Sequence, residues 1–180
     1  VERTEDHVLH FDGHGTVARR CPDCKAMNYP HQTSCQRPGC DRTLTDVLPL
    51  GYLAFEKEGT RKADWIDSKT LENLLYPSTV RVAMLSACRS GEVQGDALFG
   101  GVGPALIRAG VPAVIAMQVP VTVQAATRFV RGFYGALSRF EALPAAVTSG
   151  RRRLFRGREW FIPALYLRSQ DDEGQLLKPA

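Results

Sequence analysis

The chain carries HFDGHG at residues 10–15 and AMLSACRSG at residues 83–91, and these two stretches decide the fold. Each begins with apolar residues that suit a buried strand and continues into a polar turn, which contains His14 in the first stretch and Cys88 in the second. Turns that follow neighbouring parallel strands lie at the same edge of a sheet. The two stretches therefore predict an imidazole beside a thiol, as in a cysteine nucleophile activated by a base.

The spacing of the two residues fits a known arrangement once an insert is set aside. His14 and Cys88 are 74 positions apart, and removing the 27-residue insert at 17–43 leaves 47. Caspases separate their catalytic His and Cys by roughly 50 residues. Further matching stretches are GYLAFE at 51–56, GPALIRAGVPAVIAM at 103–117 and WFIPALYL at 160–167. With them the chain resembles the CHAT family, caspase-like peptidases of clan CD that are often fused to repeat, sensor or NTPase modules.

Hydrophobic periodicity predicts strands that alternate with helices. We expect strands near residues 6–12, 52–55, 80–85, 112–118 and 161–167, and helices near 68–75, 97–109, 121–140 and 143–155. Such alternation is typical of an α/β parallel sheet. The resemblance implies a caspase-like (caspase–haemoglobinase) sandwich, in which helices flank a mostly parallel central sheet. Residues 1–16 and 44–180 would form that domain, and 17–43 a small zinc-ribbon insertion.

The resemblance also implies roles for the two stretches. His14 would be the base and Cys88 the nucleophile of a cysteine endopeptidase. It would cleave a partner protein or peptide, gated by a fused or associated sensor, repeat or NTPase module, in bacterial defence or signalling. The backbone N–H groups of Gly15 and Cys88 are candidates for the oxyanion hole. Gly13 and Gly15 are expected to let the backbone turn sharply.

Structural rather than catalytic roles remain alternatives for the same residues. Cys88 alone fits a buried structural thiol, and His14 alone fits a turn histidine. His7 and His10 lie earlier on the strand and are expected to be structural, as is a turn-forming Asp12. The alternative function is an inactive caspase-like and zinc-ribbon scaffold that binds protein or nucleic acid.

Three acidic residues near the two stretches are candidates for a substrate pocket: Asp12, Glu92 and Asp96. If one of them lines the pocket, a basic residue before the cleaved bond would be preferred through charge pairing.

The insert contains a metal-binding pattern. Its spacing is C-x2-C-x10-C-x4-C, formed by Cys21, Cys24, Cys35 and Cys40. Four thiolates suit one structural zinc ion, with no vacancy for a catalytic water. Disulfides are the alternative, and His31 could replace one cysteine. Because the insert begins two residues after Gly15, we expect metal loss to unfold 17–43 and to slow the peptidase by loosening His14.

Two groups of basic residues are candidate contacts for nucleic acid. The insert contains Arg19, Arg20, Lys25, Arg37 and Arg42, and the end of the last helix contains Arg151, Arg152, Arg153, Arg156 and Arg158. For the insert we favour a protein-facing or fold-stabilising role. The second group reads as a solvated helix end, where cations suit the helix dipole. We find no stacking aromatic pattern with it, and a nucleic-acid partner is therefore disfavoured.

Composition bounds the remaining possibilities. The 180 residues are 44% hydrophobic, which suffices for one core. No apolar run is long enough for a membrane span, and no signal-peptide pattern opens the chain, so a cytoplasmic protein without membrane contact is expected. Because the apolar strand starts already at Val8, we expect the C-terminal part of a larger protein, or a processed piece. The first strands of the domain would then be a partner.

Overall fold

The computed structural model describes residues 7–60, 62–77, 79–88 and 101–168, with the backbone alone at 87 and 88. Within these residues the chain forms seven strands and four helices. In chain order they are β1 (Val8–Arg20), β2 (Met27–Asn28), β3 (Leu50–Glu56), β4 (Ala63–Asp67), α1 (Ser68–Leu74), β5 (Val82–Cys88), α2 (Val102–Arg108), β6 (Ala113–Met117), α3 (Val123–Leu137), α4 (Leu143–Arg152) and β7 (Pro163–Leu167).

The strands form one mixed sheet with the order β4-β3-β1-β5-β6-β7, and β2 pairs with β1 beside this path. The prediction of a mostly parallel sheet holds only for the three central strands. β1 pairs parallel with β5, and β5 with β6, whereas the pairings of β2, β3, β4 and β7 are antiparallel. Two helices, α3 and α4, separate β6 from β7. They bring the chain back to the end of the sheet where β6 finishes, so β7 runs antiparallel to β6 and Pro163 pairs with Met117.

Helices cover both faces of the sheet because the side chains of its central strands alternate. On one face, Leu106 of α2 belongs to the same apolar cluster as Leu85. On the other, Phe129 of α3 and Leu143 of α4 share a cluster with Met84. The result is a three-layered α/β fold. No helix in the described part of the chain is both long and apolar enough to cross a bilayer.

β1 differs most from the prediction. The sequence suggested a strand that ends before a turn at His14, but β1 continues to Arg20. Neither Gly13 nor Gly15 has a positive φ. The strand stays extended because β3 takes over its pairing: residues 8–14 pair with β5, and 15–18 pair with β3. Gly13 instead leaves room for the Phe11 ring, which lies 2.9 Å from where a Cβ would be.

Smaller differences concern helix ends. Asp67 caps α1, since its carboxylate accepts a hydrogen bond from the backbone N–H of Thr70, so the capping residue precedes the predicted start of the helix at residue 68. The predicted helix 121–140 ends earlier, at Leu137, and Phe140 follows it with φ of 58° and is 42% exposed.

Candidate functional site

The two predicted catalytic positions lie side by side in the backbone. His14 of β1 is the Cα partner of Cys88, the last residue of β5. Neighbouring strands are spaced about 4.8 Å apart. This pair is the last described one between the two strands, and β1 itself continues to Arg20. The side chain of His14 is exposed.

Alternate residues of β1 form an exposed polar row on the α3 side of the sheet. His10, Asp12 and His14 are all exposed, and His10 Nδ1 lies 3.1 Å from the Tyr134 hydroxyl of α3. His10 is therefore a surface residue tied to a helix and does not point into the core. In the described part of the chain no hydrogen bond joins Asp12 to His14.

A buried hydroxyl lies next to this row. Ser86 is the Cα partner of Asp12 and is only 3% exposed. Its Oγ has no hydrogen-bond partner among the described residues. This could not be predicted, since a serine inside an apolar strand does not reveal whether its hydroxyl finds a hydrogen-bond partner.

Of the three candidate substrate-pocket acids, the structure describes one. Asp12 is an exposed carboxylate two residues before His14. Glu92 and Asp96 lie outside the described residues.

The four cysteines of the insert gather into one cluster. All four Sγ atoms lie within 4.8 Å of one another. Cys21 and Cys40 Sγ are 3.8 Å apart, and Cys24 and Cys35 Sγ are 3.5 Å apart. These distances exceed a disulfide bond of about 2.05 Å, and all four thiols are free. The cluster can hold a metal ion, as the spacing predicted.

Backbone N–H groups, burial and the neighbouring thiols shift the pKa values of Cys24 and Cys40 in opposite directions. The N–H of Ala26 donates to Cys24 and, against burial and aided by the other three cysteines, lowers its pKa from 9.0 to about 7. The N–H of Arg42 acts likewise on Cys40. Around Cys40, however, burial and the other three cysteines outweigh this hydrogen bond and raise the pKa of the thiol to about 12. Close thiols resist joint ionisation, and a bound divalent cation removes that resistance because metal binding displaces the protons.

Asn28 and Arg19, which are not among the four cysteines, hold the cluster together, and the sequence analysis did not assign this role to either of them. The amide of Asn28, 4% exposed, donates to Ala26 O at 3.0 Å and to Cys35 Sγ at 3.9 Å. Its Oδ1 accepts from the N–H of Gln36 at 2.8 Å. Asn28 thus joins the turn after Cys24 to the turn after Cys35.

Arg19 ties the insert to the end of β1. It donates to Pro30 O at 2.7 Å and Leu44 O at 2.9 Å, and also to Val47 O. Leu44 is fully buried against the cysteines, so the packed unit extends beyond residue 43.

Most basic residues of the insert have partners within it. Besides Arg19, Arg37 donates to Cys24 O at 3.0 Å, Lys25 to Pro22 O at 2.6 Å, and Arg42 pairs with Asp46 at 2.5 Å. Side chains engaged in this way stabilise the turns around the cysteines.

Comparison with known proteins gives one positive result. The family model of the CHAT domain matches residues 2–164. A search of curated proteins finds no significant match to the chain.

Proposed function

Because the chain belongs to the CHAT family, a family of caspase-like peptidases, we propose that it is a cysteine endopeptidase that cleaves a partner protein. Cys88 is the nucleophile and His14 the base. The observation that supports this most is the pairing of His14 with Cys88 across the neighbouring parallel strands β1 and β5.

The proposed chemistry needs both residues. A free thiol has a pKa near 8.5 and is mostly protonated at neutral pH. The imidazole of His14 takes this proton, and the thiolate attacks the substrate carbonyl. The C–N bond then breaks, the leaving amine receives the proton from His14, and an acyl-thioester remains. Water, deprotonated by His14, attacks the thioester and releases the acid and the thiol.

Charge on the carbonyl oxygen needs stabilising donors in both steps. We assign this role to the backbone N–H groups of Gly15 and Cys88. Gly15 is buried and lies where the pairing of β1 changes from β5 to β3, so its position is fixed by the sheet.

Zinc is the metal that best suits the cysteine cluster. Cys21, Cys24, Cys35 and Cys40 would hold one ion, and four sulfur ligands leave no position for a reactive water. The ion would supply folding free energy to a segment with few apolar residues of its own. A reducing compartment such as the cytoplasm keeps such thiols available.

A labelling experiment tests the catalytic proposal. A peptidyl thiol-directed warhead should modify Cys88 at pH 7, since the other four cysteines are held in the cluster. His14→Ala should slow labelling by about 100-fold or more. The matched control is His10→Ala, which removes an exposed histidine from the same row and should leave the rate unchanged.

The pH dependence of the labelling rate distinguishes a Cys88 activated by His14 from one that is not. Well above pH 8.5 the thiol ionises unaided, and the difference between the native protein and His14→Ala should shrink. Equal labelling of both proteins at pH 7 would contradict an activated pair and would favour the scaffold function.

Substrate choice and regulation are further parts of the proposal. Asp12 would favour a basic residue before the cleaved bond. A peptide library should show a preference for Lys or Arg that Asp12→Asn abolishes; an unselective profile would remove this assignment. An associated sensor, repeat or NTPase module would gate the site, which profiling with and without such modules tests.

A further inference from the structure

The outer side of α3, α4 and the turns after α4 carries six exposed arginines. We call this the arginine surface: Arg128, Arg131, Arg152, Arg153, Arg156 and Arg158, all of them exposed. In the described part of the chain no ion pair involves any of them. Unpaired like charges in this number create a positive field that attracts polyanions.

Charge is segregated along the chain. Residues 121–160 contain eight arginines, no lysine and two acidic residues, whereas acidic residues outnumber basic ones in the rest of the chain. Of the two acids, Glu141 pairs with Arg139 at 2.6 Å, and Glu159 accepts hydrogen bonds from Thr122. The net charge of +4 therefore originates in this one region.

Close helix packing joins the arginines of the two helices. A Cβ on Gly132 would lie 2.8 Å from Ser149 O and 2.9 Å from Arg153 Cγ. The stem of Arg153 thus lies against α3 at Gly132. Arg151 lies apart from the surface, because its guanidinium donates to Pro163 O at 3.1 and 2.5 Å. This contact anchors α4 to β7 and fixes the surface.

An exposed aromatic ring lies within the arginine surface. Phe155 is 74% exposed and stands between Arg153 and Arg156 in the chain. Its neighbour Leu154 is 4% exposed and anchors the turn in the core. We expected no stacking aromatic pattern with these arginines; the structure shows the single ring of Phe155 exposed between two of them.

We propose that the arginine surface binds single-stranded nucleic acid. Guanidinium groups pair with phosphates in a bidentate manner, and an exposed ring among cations offers a platform for an unpaired base. A bilayer would call for a continuous row of exposed apolar side chains, whereas here Phe155 stands between Arg153 and Arg156 in the chain, and the exposed Trp160 and Phe161 follow Arg158. An acidic peptide would use the charge but not the ring. The proposal does not depend on the peptidase activity.

Fluorescence anisotropy with labelled 20-nucleotide oligo-dT and oligo-U tests it on the 180-residue chain. Phe155→Ala should weaken binding roughly 5- to 100-fold, the range for loss of one stacked base. The matched control is Leu74→Ala, which removes a 72% exposed apolar side chain on α1 and should not change binding.

Salt dependence tests the charges. Arg156→Gln should reduce the slope of log K against log salt by about 0.7. Arg108→Gln removes the same charge from α2, where Arg108 pairs with Glu72 at 3.1 Å, and should leave the slope unchanged. All four side chains are exposed, so circular dichroism and thermal melting should match the native protein.

Competition decides between polyanions. Unlabelled oligonucleotide should displace the probe, whereas poly-glutamate of equal charge and phosphatidylserine vesicles should do so far less. Equal competition by poly-glutamate together with no effect of Phe155→Ala would overturn the proposal in favour of an acidic polypeptide. Vesicle binding without oligonucleotide binding, or no binding at all, would overturn it as well.

Discussion

Loss of the metal cluster should unfold the insert and leave the proposed catalytic strand in place. Cys35→Ser removes one of the four sulfur atoms, at a position only 8% exposed. If the proposed zinc ion supplies the folding free energy of residues 21–47, they should then unfold, since Leu44 is their one fully buried aliphatic side chain in the described structure. From the sequence we expected this loss to loosen His14, because the insert begins close to Gly15.

The sheet changes that expectation. Four residues, 15–18, pair with β3 between His14 and the insert, and Val17 and Ala18 are 8% and 4% exposed. To free His14 from this side, four pairings at about 1 kcal/mol each must open. A cost of about 4 kcal/mol corresponds to roughly one open molecule in a thousand. The rate of Cys88 labelling should therefore stay within about twofold of the native rate.

Hydrogen exchange followed by mass spectrometry, in reducing buffer with a chelator, measures both parts. Amides of residues 21–47 should exchange nearly as fast as in an unfolded chain, while those of 8–18 keep their protection. The labelled cysteine is identified by peptide mapping, because the variant leaves three other thiols free. Rapid exchange in 8–18, or labelling slowed about 100-fold, would refute the reasoning and show that the cluster positions His14.

Three further predictions concern stability, measured by urea unfolding. Gly51→Ala would place a Cβ 2.8 Å from the backbone N of Val102, so we expect a loss of about 2 kcal/mol; a neutral result would show that α2 can shift. Asp67→Ala removes the α1 cap and should cost about 1 kcal/mol at pH 7. Burial raises the pKa of Asp67, but the hydrogen bonds that Thr70 donates outweigh burial and lower this pKa below 3.8. The stability lost in Asp67→Ala should therefore be fully present above pH 3.8 and should vanish as the pH falls through the lowered pKa. Ser86→Ala should be neutral or stabilising, because its buried hydroxyl has no partner among the described residues; a loss of 2 kcal/mol would reveal one.

Much of the fold could be predicted because its signals are local. The apolar run at 80–85 and the spacing of Phe129 and Phe133 follow the periods of a buried strand and an amphipathic helix, and both elements are present. The family prediction is confirmed by the CHAT match. The ribbon spacing of the four cysteines predicted that their sulfur atoms lie close together, since only a short stretch of chain separates each cysteine from the next.

The direction and extent of strands could not be predicted in the same way. β7 has the composition of a parallel strand, but it runs antiparallel because two helices precede it and bring the chain back to the same edge. β1 passes through a glycine-rich stretch that reads as a turn, but partners from distant segments keep it extended. Hydrogen bonding between strands depends on which segments meet, and that is a property of the whole fold.

The sequence by itself determined the residue types available to this protein: four histidines, His14 among them, one cysteine outside the insert, and four cysteines at the spacing of a metal site. Only the tertiary structure decided which residues stand together. It pairs His14 with Cys88 across two strands, and it lays Arg153 across α3 through a glycine contact. It also leaves the Phe155 ring in solvent. Residue types set what a side chain can do, whereas packing of distant segments sets its neighbours and its exposure.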